Sequence, residues 1–157
     1  MKLDSMKKRF TLKKVKTFRS HDGMELVQGE LYFDGINIAF VSEDDWGGGT
    51  RFQYHDNYNW KSIEKFTDGC FNEESFEYDI FGDLISNYWM SKDSNKGVLV
   101  GEDMRYQIIG FKTTIPTTIK KWKDGLDAYQ KIYDKAIKEG KNVLNVAYLK
   151  SVGLKIN

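Results

Sequence analysis

Apolar and polar residues alternate on both sides of Asp34-Gly35, and this alternation predicts the most sharply defined element of the chain, a β-hairpin. A two-residue type I′ turn needs φ > 0 at both central positions, a demand that Gly meets without a Cβ clash. With that turn, Phe33 opposes Ile36, Leu31 opposes Ile38, Gly29 opposes Phe40 and Val27 opposes Ser42, which gives one mostly apolar face. The other face carries Gln28, Glu30 and Tyr32 with Asn37, Ala39 and Val41, a more polar set suited to partial exposure. Upstream, Arg9 to Phe18 alternates imperfectly, with Phe10 and Leu12 in one phase and Val15 in the other; this predicts an edge strand with a bulge and protective lysines. Downstream, Thr50, Phe52 and Tyr54 alternate with Arg51, Gln53 and His55 as one further strand.

His55 to Gly69 has no clear period and reads as a loop with room for a short helix. Beyond it the period changes to three and four. Asn72 reads as an N-cap, Glu73, Glu74 and Glu77 suit the positive end of a helix, and Phe76, Ile80, Phe81, Leu84, Ile85 and Tyr88 carry it to about Met90. Val98 to Val100 and Arg105 to Lys112 predict a second hairpin around Gly101 to Met104. Pro116 suits the first turn of the longest helix. There Ile115, Ile119, Trp122, Leu126, Tyr129, Tyr133, Ala136 and Ile137 fall within roughly a 100° arc, the width of a core-facing stripe. Gly140 ends that helix, and Asn142 or Asn145 caps a short one through Val152, with Gly153 as its C′ residue. The pattern as a whole is α+β: a mainly antiparallel sheet built from hairpins, with two long helices and a short C-terminal helix packed on it. Residues 1–8 read as a flexible basic N-terminus and residues 9–157 as a single domain.

Composition supports a folded chain, since 15% of residues are aromatic and there is one proline. The apolar runs are too short to cross a bilayer, Met1 to Lys8 is too polar for a signal peptide, and the one cysteine, Cys70, fits a reducing compartment. A soluble intracellular protein is expected. Its net charge of +1 conceals segregation. Residues 1–21 carry eight Lys/Arg against one acid, residues 22–103 five against eighteen, and residues 104–157 eleven against four.

Candidate catalytic chemistry is sparse. Gly47-Gly48-Gly49-Thr50 offers successive unhindered N–H groups to an anion, but no Lys-Ser/Thr pair follows, the next element is a strand, and Glu43, Asp44 and Asp45 would repel phosphate. Those acids lack the ligand ladder of a calcium loop, and one Cys with His21 and His55 is a poor zinc set. His55 beside Asp56 resembles a general-base pair, yet strand neighbours point to opposite faces. No cofactor and no metal set is read from this sequence, and the expectation is a protein that is not an enzyme.

A binding surface is the stronger expectation. Trp46 lies between an acid and three glycines, and Glu43, Asp44, Asp45, Asp56 and Tyr58, together with Glu73, Glu74 and Glu77, complete an acidic, aromatic set suited to a basic partner. The segment FDGINIAFVSEDDWGGGTRFQY, a hairpin followed by an acidic D-x-G-G element, resembles small uncharacterised proteins of bacteriophages and other mobile elements, as does KEGKNVLN. The resemblance implies an accessory protein acting in a bacterial cytoplasm. Joined to the charge map, it gives the expectation of an inhibitor, of the anti-CRISPR or another anti-defence type, that occupies the basic nucleic-acid-binding surface of a host protein. The alternative is direct nucleic-acid binding by Lys7, Lys8, Arg9, Lys13, Lys14 and Lys16 with the basic C-terminal third.

Overall fold

A computed structural model describes residues 2–55, 57–71, 80–102 and 105–156. The pattern predicts one domain over residues 9–157; the chain groups into two compact units, residues 1–85 and 86–157.

The first unit is built on a four-stranded antiparallel meander, β1 (Phe10–Arg19), β2 (Glu25–Phe33), β3 (Ile36–Ser42) and β4 (Arg51–Tyr54), in sequential order. The basic N-terminus carries a short helix, α1 (Lys2–Lys7). It is held because Met6 is buried and Lys7 Nζ donates to Asp83 at 2.8 Å. Arg9 then forks onto the Asp34 carboxylate and lies 4.5 Å over the Phe33 ring.

The Asp34-Gly35 turn forms with both φ angles positive, 49° and 82°, and Phe33 opposes Ile36. Past Tyr32↔Asn37 the register departs from expectation: Leu31 opposes Ala39, Gly29 opposes Val41 and Gln28 opposes Ser42. One extra residue, Ile38, bulges from β3 and reverses its inside-outside phase. The reversal buries Ile38, Ala39 and Val41 together and leaves Phe40 half-exposed. It also places Glu30 where Asn37 Nδ2 donates to it at 2.9 Å and His55 Nε2 meets the same oxygen at 2.9 Å. The bulge exchanges burial of Phe40 for burial of Ala39 and Val41, and adds a partnered carboxylate. β1 carries the bulge expected of it, between Lys13 and Lys16, with Lys14 at φ 50°.

Helix α2 (Trp60–Phe66) occupies the stretch that lacked a period, and it starts on a complete capping box between Asn59 and Ser62. Its Phe66 stacks on Phe33 at 5.6 Å, while Phe10 touches both Phe33 and Phe71. The predicted N-cap Asn72, with Glu73, Glu74 and Glu77, lies outside the described residues. Buried Ile80 and Phe81 lead into α3 (Gly82–Asp93), which runs three residues past Met90 and across the boundary between the units.

In the second unit, β5 (Val98–Glu102) and β6 (Arg105–Ile109) form a hairpin that is a sheet of its own. The longest predicted helix is two helices, α4 (Ile115–Lys121) and α5 (Gly125–Lys138), because Trp122 is extended at φ −110°, ψ 128°. The break brings the two segments into close approach: a Cβ on Gly125 would lie 2.6 Å from the Thr118 carbonyl oxygen. Of the predicted stripe, Ile115, Tyr129, Tyr133 and Ala136 are buried, with Val98, Val100, Val143, Leu149 and Leu154, in one core. Trp122, at the break, and Ile137, one residue before the end of α5, are by contrast 48% and 50% exposed. Helix α6 (Val146–Ser151) follows Asn145 and closes on Gly153, whose φ of 106° admits a Schellman end with Leu154 N–H donating to the Leu149 carbonyl at 3.1 Å. Asn145 makes no side-chain cap bond. Its amide instead donates to the carbonyls of Ser94 and Gly97 and accepts from Leu99 N–H at 3.0 Å. Among the described residues, no helix is long and apolar enough to cross a membrane.

Candidate partner-binding corner

Because β1 to β4 form a meander, the β1–β2 turn and the β3–β4 connection leave the sheet at the same end. The turn is braced locally: Ser20 N–H donates to the Met24 carbonyl at 2.8 Å, and the Ser20 hydroxyl donates to Asp22. That hydroxyl and the Met24 N–H hold the Asp22 carboxyl below its ordinary range. His21, on this turn, reaches the acidic connection. Its N–H donates to Asp45 Oδ1 at 2.7 Å, and its Nδ1 lies 2.8 Å from the Asp45 carbonyl. A carbonyl only accepts, so Nδ1 carries the proton. The indole of Trp46 stacks on this pinned imidazole at 4.2 Å and 21°.

Each acid of the triplet is engaged inside the unit. Glu43 accepts from Val27 N–H at 2.6 Å, Asp44 pairs with Arg51 at 2.6 Å and accepts from Gly48 N–H, and Asp45 holds His21. Gly48 lets the Asp44 carboxylate fold back onto its N–H: a Cβ there would stand 2.3 Å from Asp44 Oδ2, so the carboxylate would have to swing aside. A groove of about 310 Å³ runs beside these groups, lined among others by Phe18, Gln28, Asp44, Trp46 and Arg51. The large apolar side chain that the corner shows to solvent is Trp46, 73% exposed.

Family models, curated proteins and solved structures were compared with the chain, and none matches.

Burial pushes the Glu43 carboxyl above its ordinary value, and the Val27 N–H offsets this only in part. A raised folded-state pKa means that the folded protein binds this proton more tightly. The associated stability is present below the unfolded value of about 4.3 and is lost as pH rises through the folded value. Glu43→Gln keeps an acceptor for Val27 N–H without the buried charge. It should raise the urea midpoint at about pH 7 and leave it nearly unchanged at about pH 4; equal shifts at both would refute the assignment.

Of the predicted site residues that are described, Tyr58 and His55 have their partners elsewhere in the unit. Tyr58 packs on Phe66 at 5.9 Å, and Asp56 lies outside the described residues with Glu73, Glu74 and Glu77. His55 pairs with Glu30, and the bonds from His55 and Asn37 hold the Glu30 carboxyl below its usual range. Of the basic set, Lys7 and Arg9 are ion-paired, Lys13 sits 4.4 Å over the Tyr32 ring, and Lys8, Lys14 and Lys16 are exposed. Among the described residues, no group of three or more His, Cys, Asp or Glu is placed to hold a metal ion. Two corner residues, His21 and Arg51, escaped sequence reasoning. The signal that finds them is the topology, which sets the first loop of a meander beside the third.

Proposed function

We propose that the protein is a binding protein that docks on a partner protein through Trp46, and that the partner is a bacterial protein that handles nucleic acid, of the defence type or a relative of it. The observation that carries this reading is the exposed indole held by its stack on His21. A large aromatic presented on a fixed backbone buries much area on docking and loses little side-chain freedom in doing so. The internally engaged carboxylates give the corner rigidity rather than a row of free phosphate mimics. Steering of a basic partner comes from the acidic balance of residues 22–103 as a whole.

Wild-type protein and Trp46→Ala serve as baits in nuclease-treated bacterial lysate. Since Trp46 is exposed, the variant should keep its thermal midpoint and lose the partner, with affinity falling by about thirtyfold or more, as for a hot-spot aromatic. The recovered partner should then lose nucleic-acid binding when the wild-type protein is added. Identical partner sets on the two baits would sink the reading.

A further inference from the structure

The second unit carries an exposed aromatic pair that its own fold leaves uncovered. Phe111 is 37% and Trp122 48% exposed, and their rings meet at 4.8 Å and 62°. The platform is supported from beneath. The Phe111 ring meets the fully buried Tyr129 ring edge to face, at 5.3 Å and 82°. The backbone of Trp122 is fixed at both polar groups: its N–H donates to the Thr118 carbonyl at 2.9 Å and its carbonyl accepts from Gly125 N–H at 3.1 Å.

Charge distinguishes the partner. The stretch 111–125 contains Lys112, Lys120, Lys121 and Lys123 against one acid, Asp124, and the unit as a whole has thirteen Lys/Arg against seven acids. All four lysines are exposed, and among the described residues none of their ammonium groups is paired with a carboxylate. Two of them close the last turn of α4 and one follows Trp122 directly, so cations flank the indole along the chain. Next to Phe111 a groove of about 380 Å³, lined among others by Ile108, Lys112 and Thr114, falls within the range of small-ligand sites, about 300–1,000 Å³.

We propose that this surface binds single-stranded nucleic acid, with bases stacked on Phe111 and Trp122 and phosphates held by Lys112, Lys120, Lys121 and Lys123. Exposed π-faces interleaved with lysine are the elements of a stacking platform, which accepts any base because every base has a π-face. A duplex keeps those faces inside its stack and would use the lysines alone. The inference goes beyond the Trp46 reading and rests on none of its residues.

The full chain is titrated, at low salt, into fluorescein-labelled oligo(dT), oligo(U) and a duplex of the same length, and anisotropy is followed. Binding of either single strand more tightly than the duplex is expected, and the preferred strand tells DNA from RNA. Trp122→Ala, and Phe111→Leu, which keeps the apolar contact with Tyr129, should each weaken binding at least about tenfold with unchanged circular dichroism. With all four lysines present, log affinity should fall against log salt with a slope of about −3, at about 0.7 per phosphate, and it should flatten when the four become Gln. Absence of binding to both single strands, equal binding of the duplex, or indifference to Trp122→Ala overturns the proposal. Equal displacement by polyglutamate does so as well, and would reassign the surface to an acidic protein.

Discussion

Asn145→Leu should cost the second unit about 3–5 kcal/mol, the largest single-site loss expected in this protein. The side-chain amide satisfies three backbone groups at once: Leu99 N–H at 3.0 Å, the Gly97 carbonyl at 2.8 Å and the Ser94 carbonyl at 3.0 Å. Asn145 is 5% and Leu99 0% exposed, and the bonds to Leu99 and Gly97 are buried, so water does not replace those two when leucine stands there. Each orphaned buried group costs about 1–3 kcal/mol, and leucine, branched at the same carbon and larger, leaves no cavity, its added volume working in the same direction as the lost bonds. Asn145→Asp should recover little, because the carboxylate keeps the bond to Leu99 N–H but faces two carbonyls with no proton to offer. Urea unfolding measures the loss, and amide exchange at Leu99 reports it locally. A cost below about 1 kcal/mol would mean that Asn145 merely begins α6.

Gly125→Ala should destabilise the same unit by about 2 kcal/mol although the residue is helical, where alanine is ordinarily the better former by about 1 kcal/mol. The Cβ would meet the backbone of α4: the Thr118 carbonyl oxygen at 2.6 Å, its carbon at 2.9 Å and Ile119 Cα at 3.0 Å. Backbone atoms cannot rotate away as the end of a flexible side chain can, so α4 and α5 have to separate. Gly82 provides the control. It also stands in a helix, but a Cβ there meets nothing within 4 Å, so Gly82→Ala should stabilise by up to about 1 kcal/mol. Opposite signs for one chemical change isolate the packing; the same sign at both sites would refute the close-approach argument.

Features that depend on a few neighbouring residues were legible in the sequence. The Asp34-Gly35 turn, the β1 bulge and the glycine ends at Gly140 and Gly153 follow from local backbone demands, and the hairpins and helices follow from period, which together give the α+β class. Features settled by competition between distant groups were not legible. The Ile38 bulge depends on what Glu30 finds on the neighbouring strand, and the apolar stripe runs through Trp122 without a break although the helix stops there. The candidate corner was half legible. An unusual tryptophan among acids and glycines marked the loop, but the turning inward of Glu43, Asp44 and Asp45 follows from Val27, Arg51 and His21, which are remote in sequence or belong to other strands.

The bulge in β1 has a consequence for how the first unit can be approached. A ten-residue strand on the margin of a sheet would offer a long row of free backbone donors and acceptors to any extended chain, including another copy of itself. Here the row is interrupted between Lys13 and Lys16, Lys14 adopts a left-handed φ of 50°, and all three lysines are exposed. The opposite margin of the described sheet, β4, is four residues long. Among the described strands, both borders are thereby shortened as templates for strand addition or fibril growth.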